Sequence, residues 1–273
     1  MSYARIIFYY HILRTAFSRL VFRRARRDRT EEEVQMAYEM NYTGQNNMDF
    51  LLLRRRKFVL GKMANTTVAD YKRHLLKRFA GILEDFSARS VLELGSGRGL
   101  NLLALAVLVP SLTAATGIEL TEAGVRTAEE NVKHPPLAAL ALLTSTSVEY
   151  IARRIGEVSF RFLRGSMTMP HLARESVDVV FSNSAIEQLP RRSNYLAAFR
   201  EAHRAARVGA FWSEPFAEAQ GRNLFYRLYL KNIDYFRASY REVEKAGWNA
   251  VSFEIPDCQK FEFNTGILIC KKQ

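Results

Sequence analysis

Residues 91–101 read "VLELGSGRGLN": a short apolar run with one acid, then Gly95, Gly97 and Gly99 at alternate positions, then the start of a leucine-rich stretch. A backbone this bare suits a ligand that must come close, or a turn that needs positive φ. "SVLELG" has the length and apolar content of a buried strand, and "LNLLALAVLV" that of an apolar helix, so the glycines form a strand-to-helix turn. After Pro110, "SLTAATGIEL" supplies a second strand and "TEAGVRTAEENV" a second helix. This alternation predicts an α/β fold, a Rossmann-like doubly wound sheet, mostly parallel, with its ligand at the carboxyl ends of the strands.

A dinucleotide fingerprint needs G-x-G-x-x-G, but from Gly95 the chain runs G-S-G-R-G-L, with Leu100 where Gly or Ala should stand; a P-loop needs G-K-[ST], which is absent. The remaining pattern, E-x-G-x-G-x-G, resembles the class I S-adenosylmethionine-dependent methyltransferases. The resemblance continues through "GIELTEAGVRTAEEN", "FRFLRGSMTMP" and "SVDVVFSNSAIEQLP", then "NYLAAFREAHRAARVGAFWSEPF". "GWNAVSFE" and "FNTGILICKK" are similar to that family's antiparallel final pair, so matching blocks run from about residue 90 to 273.

The resemblance implies an enzyme that takes its methyl group from S-adenosylmethionine. It assigns Gly95, Ser96, Gly97 and Gly99 to the amino-acid end of the cofactor, with Glu93 ordering the turn or meeting the ammonium through water. Glu119, at the end of the second strand, is expected to accept both ribose hydroxyls, a geometry suited to a carboxylate, with Leu120 beside it. Ser166 and Met167 stand where many relatives carry an Asp for the adenine, and Asn183 closes the fourth block. Gln188 occupies a position where relatives often carry His.

Transfer from a sulfonium is an in-line displacement with a good leaving group, so the protein mainly aligns the acceptor and, where needed, removes a proton. Two residues are candidates for the base: His171, just after the third block, and Glu214 in "WSEPF", at the end of the fifth strand. Residues 222–240, rich in aromatics and cations, are placed to cover the strand ends. Tyr42, in "NYTG", is placed to close the cofactor side. "SNSA" stands where amino methylation of a nucleic-acid base would show "NPPY" or "DPPY", which favours a small or lipid-linked acceptor, methylated at oxygen or nitrogen. An RNA methyltransferase and a non-catalytic S-adenosylmethionine-binding subunit are the alternatives.

The chain has 273 residues and a net charge of +12, unevenly spread: residues 1–80 hold 17 Lys and Arg against 7 Asp and Glu. Basic character therefore belongs to the front of the chain, and the remainder is close to neutral, which weakens the nucleic-acid reading. Three segments are expected. Residues 1–29 form a basic amphipathic helix, which fits docking on its own domain, contact with an anionic membrane face, or a transit peptide. Residues 30–86 form a helical cap, with Thr30 capping "EEEVQMAYEM" and "RRRK" (54–57) on a solvated helix face or contacting phosphate. Residues 87–273 form the methyltransferase domain, in which 134–157 is an unusually long insertion. Cys258 and Cys270 lack metal-ligand spacing and read as reduced core thiols, no metal site is expected, and the expected location is cytoplasmic.

Overall fold

A computed structural model of the chain describes residues 30–43, 46–59, 62–169, 172–189, 192–219, 239–256 and 265–272. The basic segment 1–29, most of the aromatic segment 222–240, His171 and Cys258 lie outside them.

The core is a seven-stranded sheet. Its strands are β3 (Ser90–Leu94), β4 (Ala114–Glu119), β5 (Ser159–Arg164), β6 (Val177–Asn183), β7 (Ala206–Glu214), β8 (Trp248–Glu254) and β9 (Gly266–Lys272). The order across the sheet is β5-β4-β3-β6-β7-β9-β8. Pairing is parallel from β5 through to β7, and β9 runs antiparallel to both β7 and β8. The expected mostly parallel sheet with an antiparallel end is therefore present. Chain order reverses at β3, which has β4 on one side and β6 on the other, and this is where an open α/β sheet forms its crevice.

Helices cover both faces. On one, Leu75, Phe79, Ile82 and Leu83 of α3 (Val68–Asp85) are buried. Their spacing is that of a helical stripe, and Phe79 meets Phe211 at 4.9 Å between ring centroids, with Phe181 stacked on Phe211 at 4.9 Å. Thr67 and Asp70 start α3 with a reciprocal capping box. On the other face α8 (Arg192–Ala205) packs Phe199 edge-on against Trp212, and the Trp248 indole donates to the Phe199 carbonyl at 2.9 Å.

α4 (Leu100–Leu108) is buried on every side, which a helix of this apolar composition requires. The insertion, which follows α5 (Glu122–Lys133), supplies the cover: α6 (Leu137–Thr144) and α7 (Val148–Glu157) pack against α4, and α6 also packs on α3. Arg154 of α7 is buried, and its Nη2 donates to the carbonyls of Val109, Pro110 and Leu112 just beyond the end of α4. Among the described residues no other cation meets those carbonyls, so Arg154→Ala is expected to destabilise the fold by about 2–4 kcal/mol. Urea denaturation measures this, and a loss below about 0.5 kcal/mol would show that water replaces the guanidinium without cost.

The N-terminal cap departs from the helical expectation. α1 (Glu31–Thr43) begins at Thr30 as its capping box predicts, with Glu33 N donating to Thr30 Oγ1 at 3.2 Å and Thr30 N donating to Glu33 Oε2 at 2.9 Å. A short α2 (Asn47–Leu52) follows, but residues 54–67 form a hairpin of β1 (Arg54–Val59) and β2 (Lys62–Thr67), paired antiparallel with Val59 opposite Lys62. "RRRK" is therefore on a strand and not on a helix face. Phe58, Val59, Thr66 and Thr67 favour extended backbone, and four adjacent cations weaken a helix by repulsion between neighbouring turns.

Candidate cofactor and active site

The three glycines all have positive φ, +75° at Gly95, +53° at Gly97 and +73° at Gly99. The turn is held by the tip of β4. Gly95 N and Ser96 N both donate to the Ile118 carbonyl, at 2.8 and 3.0 Å, and Gly97 N donates to Glu119 Oε2 at 2.9 Å. The other Glu119 oxygen accepts from Thr121 N at 3.0 Å and Thr121 Oγ1 at 2.8 Å. Glu119 thus accepts three hydrogen bonds, leaving about one of a carboxylate's four lone-pair sites. The free site is on Oε2 beside Gly97 N–H, so a diol that takes both oxygens must displace one of the two Thr121 donors from Oε1.

One cavity of about 450 Å³ lies over this turn, within the range of small-molecule sites. Eight of the ten expected cofactor contacts line it: Gly95, Ser96, Gly97, Glu119, Leu120, Ser166, Met167 and Asn183. Gly99 does not, and packs instead against Phe162. Glu93 is buried behind Asn101, whose Nδ2 donates to Glu93 Oε1 at 2.6 Å. Asn101 Oδ1 in turn accepts from Lys72 Nζ at 2.9 Å, and both Lys72 and Asn101 line the cavity. Burial pushes the Glu93 carboxyl up and the Lys72 ammonium down, each partly offset by the other's charge.

The lining has unmet hydrogen-bonding capacity. Among the described residues, Ser96 Oγ, Arg98 Nη1 and Asn183 Oδ1 are buried without a partner, as is Glu93 Oε2 behind them. Leaving such atoms unpaired costs roughly 1–3 kcal/mol each, so the residues present fit a ligand that carries both donors and acceptors. A nucleoside with a zwitterionic amino-acid tail has both.

α1 covers the cavity, contributing Glu31, Val34, Tyr38, Asn41 and Tyr42 to its lining. The cover is fastened: Arg98 Nη2 donates to the Asn41 carbonyl at 3.0 Å and its guanidinium lies over the Tyr42 ring at 5.6 Å, while Ala123 N donates to Glu39 Oε1 at 3.0 Å. Tyr42 is on the helix rather than in the loop after it, and burial raises its phenol well above the usual range. These contacts could not be read from the local sequence, because they join elements far apart along the chain.

Of the two base candidates, His171 is outside the described residues and Glu214 is not in the cavity wall. Glu214 Oε1 accepts from Ser182 Oγ at 2.6 Å, Ala185 N at 3.1 Å and Ile186 N at 3.2 Å, with Oε2 accepting from Glu187 N at 3.4 Å. It anchors the turn after β6, and with its oxygens so used it is not placed to take a proton from an acceptor. Burial nonetheless pushes its carboxyl up, to about 7 from 4.5. Between those values the folded protein keeps a proton that the unfolded chain has released. The contribution of Glu214 to stability therefore falls as pH rises from about 4.5 to about 7 and is level above, a change on the order of 3 kcal/mol. Glu214→Gln keeps the Oε1 contacts without the charge and is expected to remove this part of the decline, leaving that of Glu93. Chemical denaturation from pH 4.5 to 8 checks it, and an unchanged slope would refute it.

Among the described residues no group of three or more His, Cys, Asp or Glu could hold a metal ion, and no helix is long and apolar enough to cross a membrane. Cys270 is a buried free thiol whose burial pushes it up to about 12.

Residues 92–212 match the family of methyltransferase domains. With this sheet order and glycine turn, the match makes residues 92–212 a methyltransferase domain of the class I type, whose cofactor is S-adenosylmethionine. Its fold is similar to that of the cyclase SpnF, with a TM-score of 0.61 at 12% identity over 90% of this chain and 97% of that one. It is also similar to geranyl diphosphate C-methyltransferase from Streptomyces coelicolor A3(2), solved with S-adenosyl-L-homocysteine, with a TM-score of 0.54 at 10% identity over 88% and 98%. Magnesium protoporphyrin IX methyltransferase from Synechocystis PCC 6803, solved with S-adenosylmethionine, is similar with a TM-score of 0.50 at 10% identity over 75% and 81%. At such identities these structures speak for the fold alone. No curated protein matches in sequence.

Proposed function

We propose that this methyltransferase acts on a small or lipid-linked metabolite, at an oxygen or nitrogen atom. The observation that carries the reading is the largely apolar part of the cavity beneath α1, where Val34, Phe50, Leu53 and Leu189 line the wall. A roofed pocket of this size admits a compact acceptor more readily than a polymer. Two proteins of similar fold are described as methyltransferases of a porphyrin and of geranyl diphosphate, acceptors that such a wall would suit.

The cofactor supplies a methyl group on a positively charged sulfur. On this reading Glu119 holds the ribose, the Gly95–Gly97 backbone lies against the amino-acid end, and Met167 and Ser166 flank the adenine, with Asn183 completing the wall. Held by these residues, the cofactor would supply its methyl group to the acceptor's lone pair, with the electron pair of the broken carbon–sulfur bond going to sulfur and S-adenosylhomocysteine as the product. The acceptor's proton leaves to solvent or to a base outside the described residues. The protein's own contribution is alignment and exclusion of water, which can account for several kcal/mol of rate enhancement.

Incubating a cell extract with methyl-labelled S-adenosylmethionine and the purified protein tests this. Label is expected in the small-molecule or lipid fraction. Label in RNA would overturn the acceptor class, and no transfer to any fraction despite cofactor binding would support a non-catalytic subunit.

A further inference from the structure

We infer that Lys72 is a cofactor-binding residue: its ammonium pairs with the α-carboxylate of S-adenosylmethionine, and Asn101 and Glu93 hold it in position. The inference rests on the cofactor site proposed above and deepens it. Lys72 comes from α3, before the glycine turn, and belongs to none of the sequence blocks that suggest the cofactor.

Three observations carry it. Lys72 lines the same cavity as Gly95 and Gly97, and the chain of hydrogen bonds from Lys72 Nζ through Asn101 to Glu93 ends at the residue two before Gly95. The ammonium is therefore at the amino-acid end of the site, while Glu119 occupies the tip of the neighbouring strand. Second, an ammonium has three N–H donors, and the one side-chain acceptor it meets among the described residues is Asn101 Oδ1 at 2.9 Å, so donors remain for an anion. Third, Arg98, the other cation in the wall, is tied to the cover by Nη2 on the Asn41 carbonyl and by its plane over the Tyr42 ring, with Nη1 left without a partner among the described residues, whereas Lys72 has committed one of its three donors. Asn101 and Glu93 are positioning residues: Glu93 Oε1 accepts from the Asn101 amide nitrogen and so turns the amide oxygen toward Lys72. Desolvation disfavours the Lys72 ammonium and the charge of Glu93 offsets that only in part, which is the electrostatic reason for a second carboxylate to settle here.

The consequence is selectivity for adenosyl ligands that carry a carboxylate. Titration calorimetry with S-adenosylhomocysteine, its decarboxylated analogue S-adenosyl-3-thiopropylamine, and 5′-methylthioadenosine tests it. Wild-type protein is expected to bind S-adenosylhomocysteine at least ~10-fold more tightly than the decarboxylated analogue, as a charge-assisted contact requires. Lys72→Met should weaken S-adenosylhomocysteine by ~10-fold or more while leaving the other two ligands within about 2-fold, and Lys72→Arg should restore most of the loss. Equal wild-type affinity for the carboxylated and decarboxylated ligands overturns the inference even if Lys72→Met fails to fold. So does a Lys72→Met loss that is the same for all three ligands, which would mark a structural lysine. Wild-type protein that binds none of the three overturns the cofactor site itself.

Discussion

Gly97→Arg is expected to abolish S-adenosylhomocysteine binding, a loss of more than ~100-fold, while the protein remains folded. Gly97 has φ of +53°, and a Cβ there would lie 2.8 Å from Tyr42 Oη. The backbone strain is about 1–3 kcal/mol, a fraction of the stability of a domain this size. The side chain, in contrast, has nowhere to go but the cavity or the space of Tyr42, and Tyr42 is packed under the Arg98 guanidinium. Occupying the cavity excludes the ligand, and displacing Tyr42 opens the cover. Calorimetry with S-adenosylhomocysteine, alongside circular dichroism, measures both halves of the expectation. Full affinity in a folded variant would place the cofactor elsewhere.

Glu119→Gln is expected to weaken the same ligand by ~100-fold through two separable effects. The carboxylate holds the glycine turn through Gly97 N and the start of the next helix through Thr121, and on the proposed reading it also accepts from the ribose. An amide nitrogen at Oε2 would face the Gly97 N–H, donor against donor, so part of the loss comes from a loosened turn. The ribose part is isolated by a 2′-deoxy analogue of S-adenosylhomocysteine. Wild-type protein should bind that analogue less tightly, and in Glu119→Gln the penalty for the missing hydroxyl should shrink. A penalty of the same size in both proteins would leave Glu119 as a turn anchor alone.

The two replacements differ in what the sequence could foresee. Gly97 sits in a turn whose conformation is set by neighbours within a few residues, and the alternating glycines between an apolar strand and an apolar helix announce it. Glu119 was legible as an acid at a strand tip. Its present partners were not, because Gly97 N is 22 residues away and reaches it only once β3 and β4 pair. Glu214 shows the reverse case: an acid at the end of β7 reads as a candidate base, yet pairing β7 with β6 hands its oxygens to the turn at 182–187.

The amino-acid sequence alone determined the alternation of strands and helices, the glycine turn and the family of cofactor that fits it, because each depends on periodicity and spacing within about twenty residues. Tertiary structure decided what those elements meet. It turned residues 54–67 into a hairpin, laid the 137–157 helices over α4, closed α1 over the cavity and brought Lys72 to Asn101 and Glu93. Each is a contact between segments distant in the chain, where burial and unmet hydrogen bonds outweigh local preference.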